Sequence, residues 1–267
     1  MATSNTVAGS ASVQGELWGA RARDWAEVQE PAQREMYPPV FDAAGLGEGT
    51  ALLDVGCGSG VAAAIAHERG AKVSGLDAAL QAIEIARERV GDGDFRVGEL
   101  EALPYEDDTF DVVTGFASFQ YAADPVHAVQ EARRVARPGG TVAILTWGQP
   151  EHCQAAAIIS ALGRLLPPPP PGAPGPFALS AAGALEDLAQ RAGLTPSHVA
   201  EFSTRWEYRD RKTALRAHLS SGPAAKAMRA VGEQTVTGAI GDAIEPFRTA
   251  AGAYTLENRW RFLLAAA

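Results

Sequence analysis

Short apolar runs alternate along this chain with longer stretches in which apolar positions recur at helical spacing. That alternation predicts a mostly parallel sheet covered by helices on both faces. Strands are expected near 51–56, 72–76, 94–97, 111–116 and 141–147, and helices near 60–69, 79–90 and 124–136. Pro138-Gly139-Gly140 reads as the turn that ends the last of these helices and starts the fifth strand. A helix at 181–192 and strands at about 197–208 and 255–265 then complete seven strands. Near the N-terminus a helix from Glu16 to about Val28 carries Trp18 and Trp25 at seven-residue spacing, on roughly one face. They serve either as a cover over a ligand or as core aromatics that dock the helix.

Three segments stand outside the sheet pattern. Residues 1–15 are small and polar and are expected to form a disordered tail. Residues 148–179 combine a short helix with Pro167 to Pro171, a run that favours an extended polyproline II strut. Residues 210–250 are alanine-rich and read as two or three helices. The organisation is therefore a tail at 1–15, a cover helix and ligand-binding half at 16–147, a proline-rich insertion at 148–179, and a C-terminal half of the sheet at 180–267 that holds the helical insertion. Inserted after the fifth and sixth strands, both insertions should lie over the C-terminal edge of the sheet, where open α/β folds bind ligands, and act as lids.

Chemistry concentrates in Asp54-Val-Gly-Cys-Gly-Ser-Gly60, where a strand runs through alternating glycines into a helix. Gly56, Gly58 and Gly60 let the backbone approach a ligand closely, and the following helix offers free N–H groups. The spacing is G-x-G-x-G, short of the G-x-G-x-x-G of dinucleotide sites. Asp77 closes the second strand, where a carboxylate suits the two hydroxyls of a ribose; capping of the helix that follows is the plainer alternative.

DVGCGSG, the GLD ending at Asp77, Glu101-Ala-Leu-Pro-Tyr-Glu-Asp-Asp-Thr-Phe-Asp-Val-Val113, Glu131-Ala-Arg-Arg-Val-Ala-Arg-Pro-Gly-Gly140 and Tyr254-Thr-Leu-Glu-Asn-Arg-Trp-Arg-Phe-Leu-Leu-Ala265 occur in this order. Together they resemble the class I S-adenosylmethionine-dependent methyltransferases, in the small-molecule branch that includes the quinone C-methyltransferases. The resemblance implies an α/β fold, a seven-stranded Rossmann-like doubly wound sheet with an antiparallel last strand and helical lid insertions. It implies S-adenosyl-L-methionine as cofactor. Asp54, Gly56, Cys57, Gly58 and Gly60 would surround its methionine part, Asp77 and Ala78 its ribose, and Glu99 and Leu100 its adenine, with Ala82 replacing a larger apolar residue there. Phe116 and Ala117 would border the amino-acid end, and Trp25 would close over the cofactor. Where relatives often carry a histidine after the fourth strand, this chain reads Phe119-Gln120-Tyr121.

Composition narrows the partners. With 23 Lys and Arg against 32 Asp and Glu, the net charge of −9 argues against a nucleic-acid footprint or an anionic membrane surface. Two cysteines give neither a disulfide framework nor a zinc spacing, and no metal site is expected. No apolar run approaches the ~20 residues of a membrane span, so a cytoplasmic enzyme is expected, with a homodimer compatible. The implied reaction is in-line transfer of the methyl group to O, C or N of a small, apolar or aromatic acceptor. Candidates for a proton acceptor are His152, Tyr121, Tyr37 and His218, with His152 expected to overhang the methyl group. Two other readings are a cofactor-binding protein that does not methylate and a nicotinamide-dependent oxidoreductase.

Overall fold

The computed structural model describes residues 9–168, 173 and 175–267. Seven strands form one sheet, β1 Ala51–Val55, β2 Lys72–Asp77, β3 Asp94–Val97, β4 Phe110–Phe116, β5 Ala136–Trp147, β6 Thr195–Tyr208 and β7 Tyr254–Ala266, in the order β3-β2-β1-β4-β5-β7-β6. β1 to β5 are parallel, whereas β7 enters antiparallel between β5 and β6. The near-continuous apolar runs of β1 and β4 follow from burial on both faces. Leu52 and Leu53 are consecutive, face opposite sides and are each 0% exposed. Leu52 joins the core that includes Phe41, Val61 and Ile83, and Leu53 the one that includes Val113, Val129 and Leu185. Each such leucine contributes about 1.5–3 kcal/mol by leaving water.

The sheet's helices, Val61–Glu68, Leu80–Arg89, Pro125–Val135 and Ala184–Arg191, lie where the periodicity places them. Helix Ala156–Gly163 belongs to the first insertion, and helices Arg211–Leu219, Gly222–Val231 and Glu233–Ile244 form the second. Their starts are written locally: the Asp210 carboxylate accepts the Thr213 N–H at 2.7 Å, and Ser221 precedes a Gly-Pro first turn while its hydroxyl accepts the Ala224 N–H at 3.4 Å.

Three expectations change, and a fourth falls mostly outside the described residues. The helix expected from Glu16 begins at Ala11, so residues 11–15 are helical rather than part of a tail. It breaks after Gly19 and resumes as Ala22–Asp24, a π-helical turn Trp25–Gln29 and Glu30–Gln33, with a further helix at Pro38–Ala43. Pro138-Gly139-Gly140 is a bulge within β5 rather than a turn before it: Phe110 pairs with Ala136 but Val112 with Thr141, and Gly139 absorbs the irregularity at φ +78°. Of the polyproline run, residues 169–171 lie outside the described residues, and Pro167 and Pro168 have no regular structure.

Candidate active site

At the carboxyl ends of β1 to β5 a cavity opens whose floor is the glycine loop. The Gly56 and Cys57 N–H groups both donate to the Leu76 carbonyl, at 2.7 and 3.0 Å, which fastens the loop to β2. Gly56, Gly58 and Gly60 have φ of 77°, 54° and 78°, in the left-handed region that disfavours side chains. A Cβ on Gly58 would meet nothing nearer than Glu30 Oε1 at 3.4 Å, so the loop is open there; a Cβ on Gly56 would lie 2.4 Å from Ser118 Cβ.

Four carboxyl groups line the cavity. Asp54, buried at the tip of β1, accepts the Thr114 hydroxyl at 2.8 Å. Burial raises its pKa to about 7, reinforced by the charges of Asp77 and Glu30. Asp77 accepts the Gly58 N–H at 2.9 Å through Oδ2 and the Ala79 N–H at 2.8 Å through Oδ1. It is not the cap of helix Leu80–Arg89, whose N-cap is Ala79 with no side-chain hydrogen bond. Burial pushes Asp77 above the usual carboxylate range, and the two N–H groups pull it back. Glu30, only 2% exposed, accepts the Ser59 N–H at 3.2 Å and pairs with Arg89 at 2.7 Å.

Glu99, the fourth, already has partners from the N-terminal segment: it accepts the Ser10 hydroxyl at 3.1 Å and the Ala11 N–H at 2.7 Å. Ser10 also reaches Glu101 at 3.2 Å, and Glu101 accepts the Ala123 N–H at 2.6 Å. Of these two neighbouring acids, Glu101 is raised, by burial and by Glu99, while Glu99 is lowered because its hydrogen bonds outweigh its burial.

Leu100, Ala78, Ala82, Cys57, Phe116 and Ala117 all line the cavity. Ala117 holds φ +53° without being glycine, fixed by its N–H on the Leu145 carbonyl at 2.8 Å, and such strain is characteristic of functional sites. Trp18 and Trp25 do meet, edge to face at 5.0 Å, and Tyr121 packs on Trp18 at 5.6 Å. The insertions close the other end. Trp147, Trp206 and Trp260 from β5, β6 and β7 form a wall, with Trp147 lying 4.4 Å from Trp260 and 5.5 Å from Trp206 between ring centroids. Ile158, Ile159 and Leu162 face it from helix Ala156–Gly163, and Ala217, His218 and Pro223 from the second insertion.

Two sequence-level assignments are corrected. His152 is exposed on the turn Pro150–His152 and is not among the residues lining the cavity. The chain after β5 is held along β7, by Gly148 N–H to the Arg259 carbonyl at 2.8 Å and Gln154 N–H to the Glu257 carbonyl at 2.9 Å, which carries His152 away from the methyl position. Gly60 does not line the cavity either; it is the left-handed N-cap of helix Val61–Glu68, where a Cβ would come within 2.9 Å of Ala86 Cβ. Tyr121 stays protonated, because burial raises its phenol well above the ordinary value. His218, which also lines the cavity, is buried and neutral, with its pKa pushed down to about 3 by burial. Glu30, Glu101 and Ser10 carry no signal in the sequence, since their roles arise only from packing between distant segments.

Residues 53–144 match a family described as a methyltransferase domain. A demethylmenaquinone methyltransferase of Bacillus subtilis is 37% identical over 112 residues, 39% of this chain and 48% of that protein. The chain spans about half the length of the curated relatives it matches, 47% in the case of an uncharacterized protein of Mycobacterium bovis. Among solved structures, the YcgJ protein of Bacillus subtilis superposes with a TM-score of 0.58 at 17% identity, over 87% of this chain and 97% of that one. The [4+2]-cyclase SpnF superposes with a TM-score of 0.56 at 20% identity, over 87% and 80%. Residues 53–144 are thus similar to a methyltransferase domain, and the sheet order agrees with the fold of these solved structures.

Proposed function

We propose that the protein transfers the methyl group of S-adenosylmethionine to a small apolar or aromatic acceptor enclosed in the same cavity. The observation that carries this reading is the two-ended lining: carboxyl groups and the glycine loop at the strand tips, and a wall of three tryptophans under the insertions. The acidic end fits the cofactor's chemistry. Its hydroxyls and ammonium group are donors, its sulfonium is a cation, and Asp54, Asp77, Glu30 and Glu99 are acceptors. The same lining does not fit the diphosphate of a nicotinamide dinucleotide, for no Lys or Arg is among the described lining residues.

Bound there, S-adenosylmethionine supplies an electrophilic methyl group on a good leaving group. What the chain's residues contribute is placement. Asp77 orders the loop through Gly58, Ala117 and Phe116 border the methyl position, and the tryptophan wall with helix Ala156–Gly163 excludes water from it. Alignment of this kind is worth about 7–11 kcal/mol in favourable intramolecular systems. Tyr121 is held protonated and His152 lies outside the cavity, so neither is placed to take a proton from an acceptor. His218, which lines the acceptor end, is held neutral by burial and offers a hydrogen-bond acceptor there rather than a strong base. The cyclase neighbour shows that this fold also hosts other chemistry, but no residue of this cavity favours that reading over methyl transfer.

The test is calorimetric titration with S-adenosylmethionine, followed by mass spectrometry of incubations with a panel of phenols, quinols and amines. A gain of 14 mass units (~14, one methyl for one hydrogen) in an acceptor, with S-adenosylhomocysteine formed in equal amount, is expected. Cofactor binding without any methylated product across the panel would favour the non-methylating reading.

A further inference from the structure

The charge of the cavity is one-sided. Every ionised side chain among its described lining residues is a carboxylate, and none is Lys or Arg. The nearest guanidinium of the loop region, Arg89, is spent on Glu30 at 2.7 Å and on the Ser59 carbonyl at 2.8 Å. An acceptor carrying a carboxylate, phosphate or diphosphate would be desolvated here against charges of its own sign.

The wall itself is apolar, and two polar groups in it are uncommitted, the His218 imidazole and the Trp206 indole N–H. His218 is 6% exposed, edge to face with Tyr208 at 5.2 Å and tilted against Trp206 at 6.2 Å, and its Nε2 has no hydrogen-bond partner among the described residues. Of the other polar groups beside it, three are occupied: the Tyr208 hydroxyl donates to Gln29 at 2.8 Å, the Ser221 hydroxyl to the His218 carbonyl at 2.9 Å, and the Trp260 indole to Thr204 at 2.8 Å; the Trp206 indole N–H is a donor left over beside His218. A buried imidazole without a partner is a defect in a finished core and a recognition element in a binding site.

Resting on the methyl-transfer reading for the cavity's purpose, we propose that its acceptor is an uncharged, ring-sized apolar molecule that presents a hydroxyl group to His218, and that anionic acceptors are rejected. The tryptophan wall supplies flat apolar area, the carboxylates set the charge rule, and His218 supplies the polar contact that orients the ring. The neutral state of His218 suits this role, because its imidazole keeps a lone pair for the hydroxyl across the physiological range.

The probes are naphthalene, 1-naphthol and 1-naphthoate, offered to the full chain by equilibrium dialysis with and without saturating S-adenosylhomocysteine. 1-Naphthol is expected to bind at least tenfold more tightly than 1-naphthoate. His218→Phe should weaken 1-naphthol at least fivefold while leaving naphthalene within twofold, and His218→Gln, which keeps a hydrogen-bonding group, should retain most of the 1-naphthol affinity. Melting curves of both variants establish that they fold. Equal or tighter binding of 1-naphthoate, retention of neither naphthol nor naphthalene, or parallel loss of both in His218→Phe would overturn the proposal. If 1-naphthol is selected over 1-naphthoate but calorimetry shows no S-adenosylmethionine binding, the methyl-transfer reading falls and the selectivity stands.

Discussion

Asp54 is an acid held at the pH where cells live. Its folded pKa of about 7 lies above the usual carboxylate value, so between about pH 4 and 7 the folded chain keeps a proton that the unfolded chain releases. This group's contribution to stability is therefore lost as pH rises through that window. A cationic ligand reverses the preference, favouring ionised Asp54 and expelling the proton. S-adenosylmethionine affinity should consequently rise by up to about tenfold between pH 6 and 8, with proton release seen by calorimetry in buffers of different ionisation heat; Asp54→Asn should bind weakly and without this slope. Asp77→Ala leaves the Gly58 and Ala79 N–H groups without their acceptors. It should weaken cofactor binding by about 1.5–3 kcal/mol, a loss read in the same titrations, and native affinity would show that the ribose is held elsewhere. Gly58→Val meets little resistance from packing but carries the strain of φ +54°. We expect cofactor binding to disappear while the melting temperature moves by only a few degrees. The positions of Asp54, Asp77, Gly56 and Gly58 at the cavity were legible in the sequence because each lies at or just beyond a strand end. Glu30 was not, since it sits on a helix whose π-helical turn no periodicity announces.

Among the elements, the N-terminal helices and the second insertion are clasped by charge. Arg216 pairs with Asp24 at 2.7 Å and with Glu27, Arg229 with Glu16 at 3.0 Å, and Arg21 with Glu233 at 2.7 Å. Exposed pairs of this kind contribute about 0–1 kcal/mol each. Arg216→Ala should therefore lower the melting temperature only slightly, yet raise amide hydrogen exchange in residues 16–29 and 211–233, an effect that salt reproduces in the native chain. Unchanged exchange would mean that apolar packing alone holds the cover. The existence of these helices could be read from composition, but their ends could not. The helix Ala11–Gly19 starts early because Ser10 and Ala11 dock on Glu99, a contact across 88 residues that local pattern does not encode.

At the scale of the whole molecule, the seven strands of a mostly parallel sheet follow from the alternation of apolar runs, while the convergence of all five tryptophans on one cavity does not. Trp18, Trp25, Trp147, Trp206 and Trp260 come from five elements, and only the packed fold makes them neighbours. His152 lies outside the cavity for the same reason: its place after β5 was legible, and the path of the chain along β7 was not. That path has a kinetic consequence. β1 to β5 lie within residues 51–147 and pair through short crossovers, whereas β5 meets β7 only after residues 148–253 have been looped out. Long closures of this sort are slow. The half of the cavity built from Asp54, Asp77 and Glu99 belongs to the early part of the sheet, and the tryptophan wall exists only once β7 has docked. In stopped-flow refolding, the change in tryptophan emission should trail the first gain of strand signal. On the function proposed here, the chain thus acquires the means to hold a methyl donor before it acquires any selectivity for an acceptor.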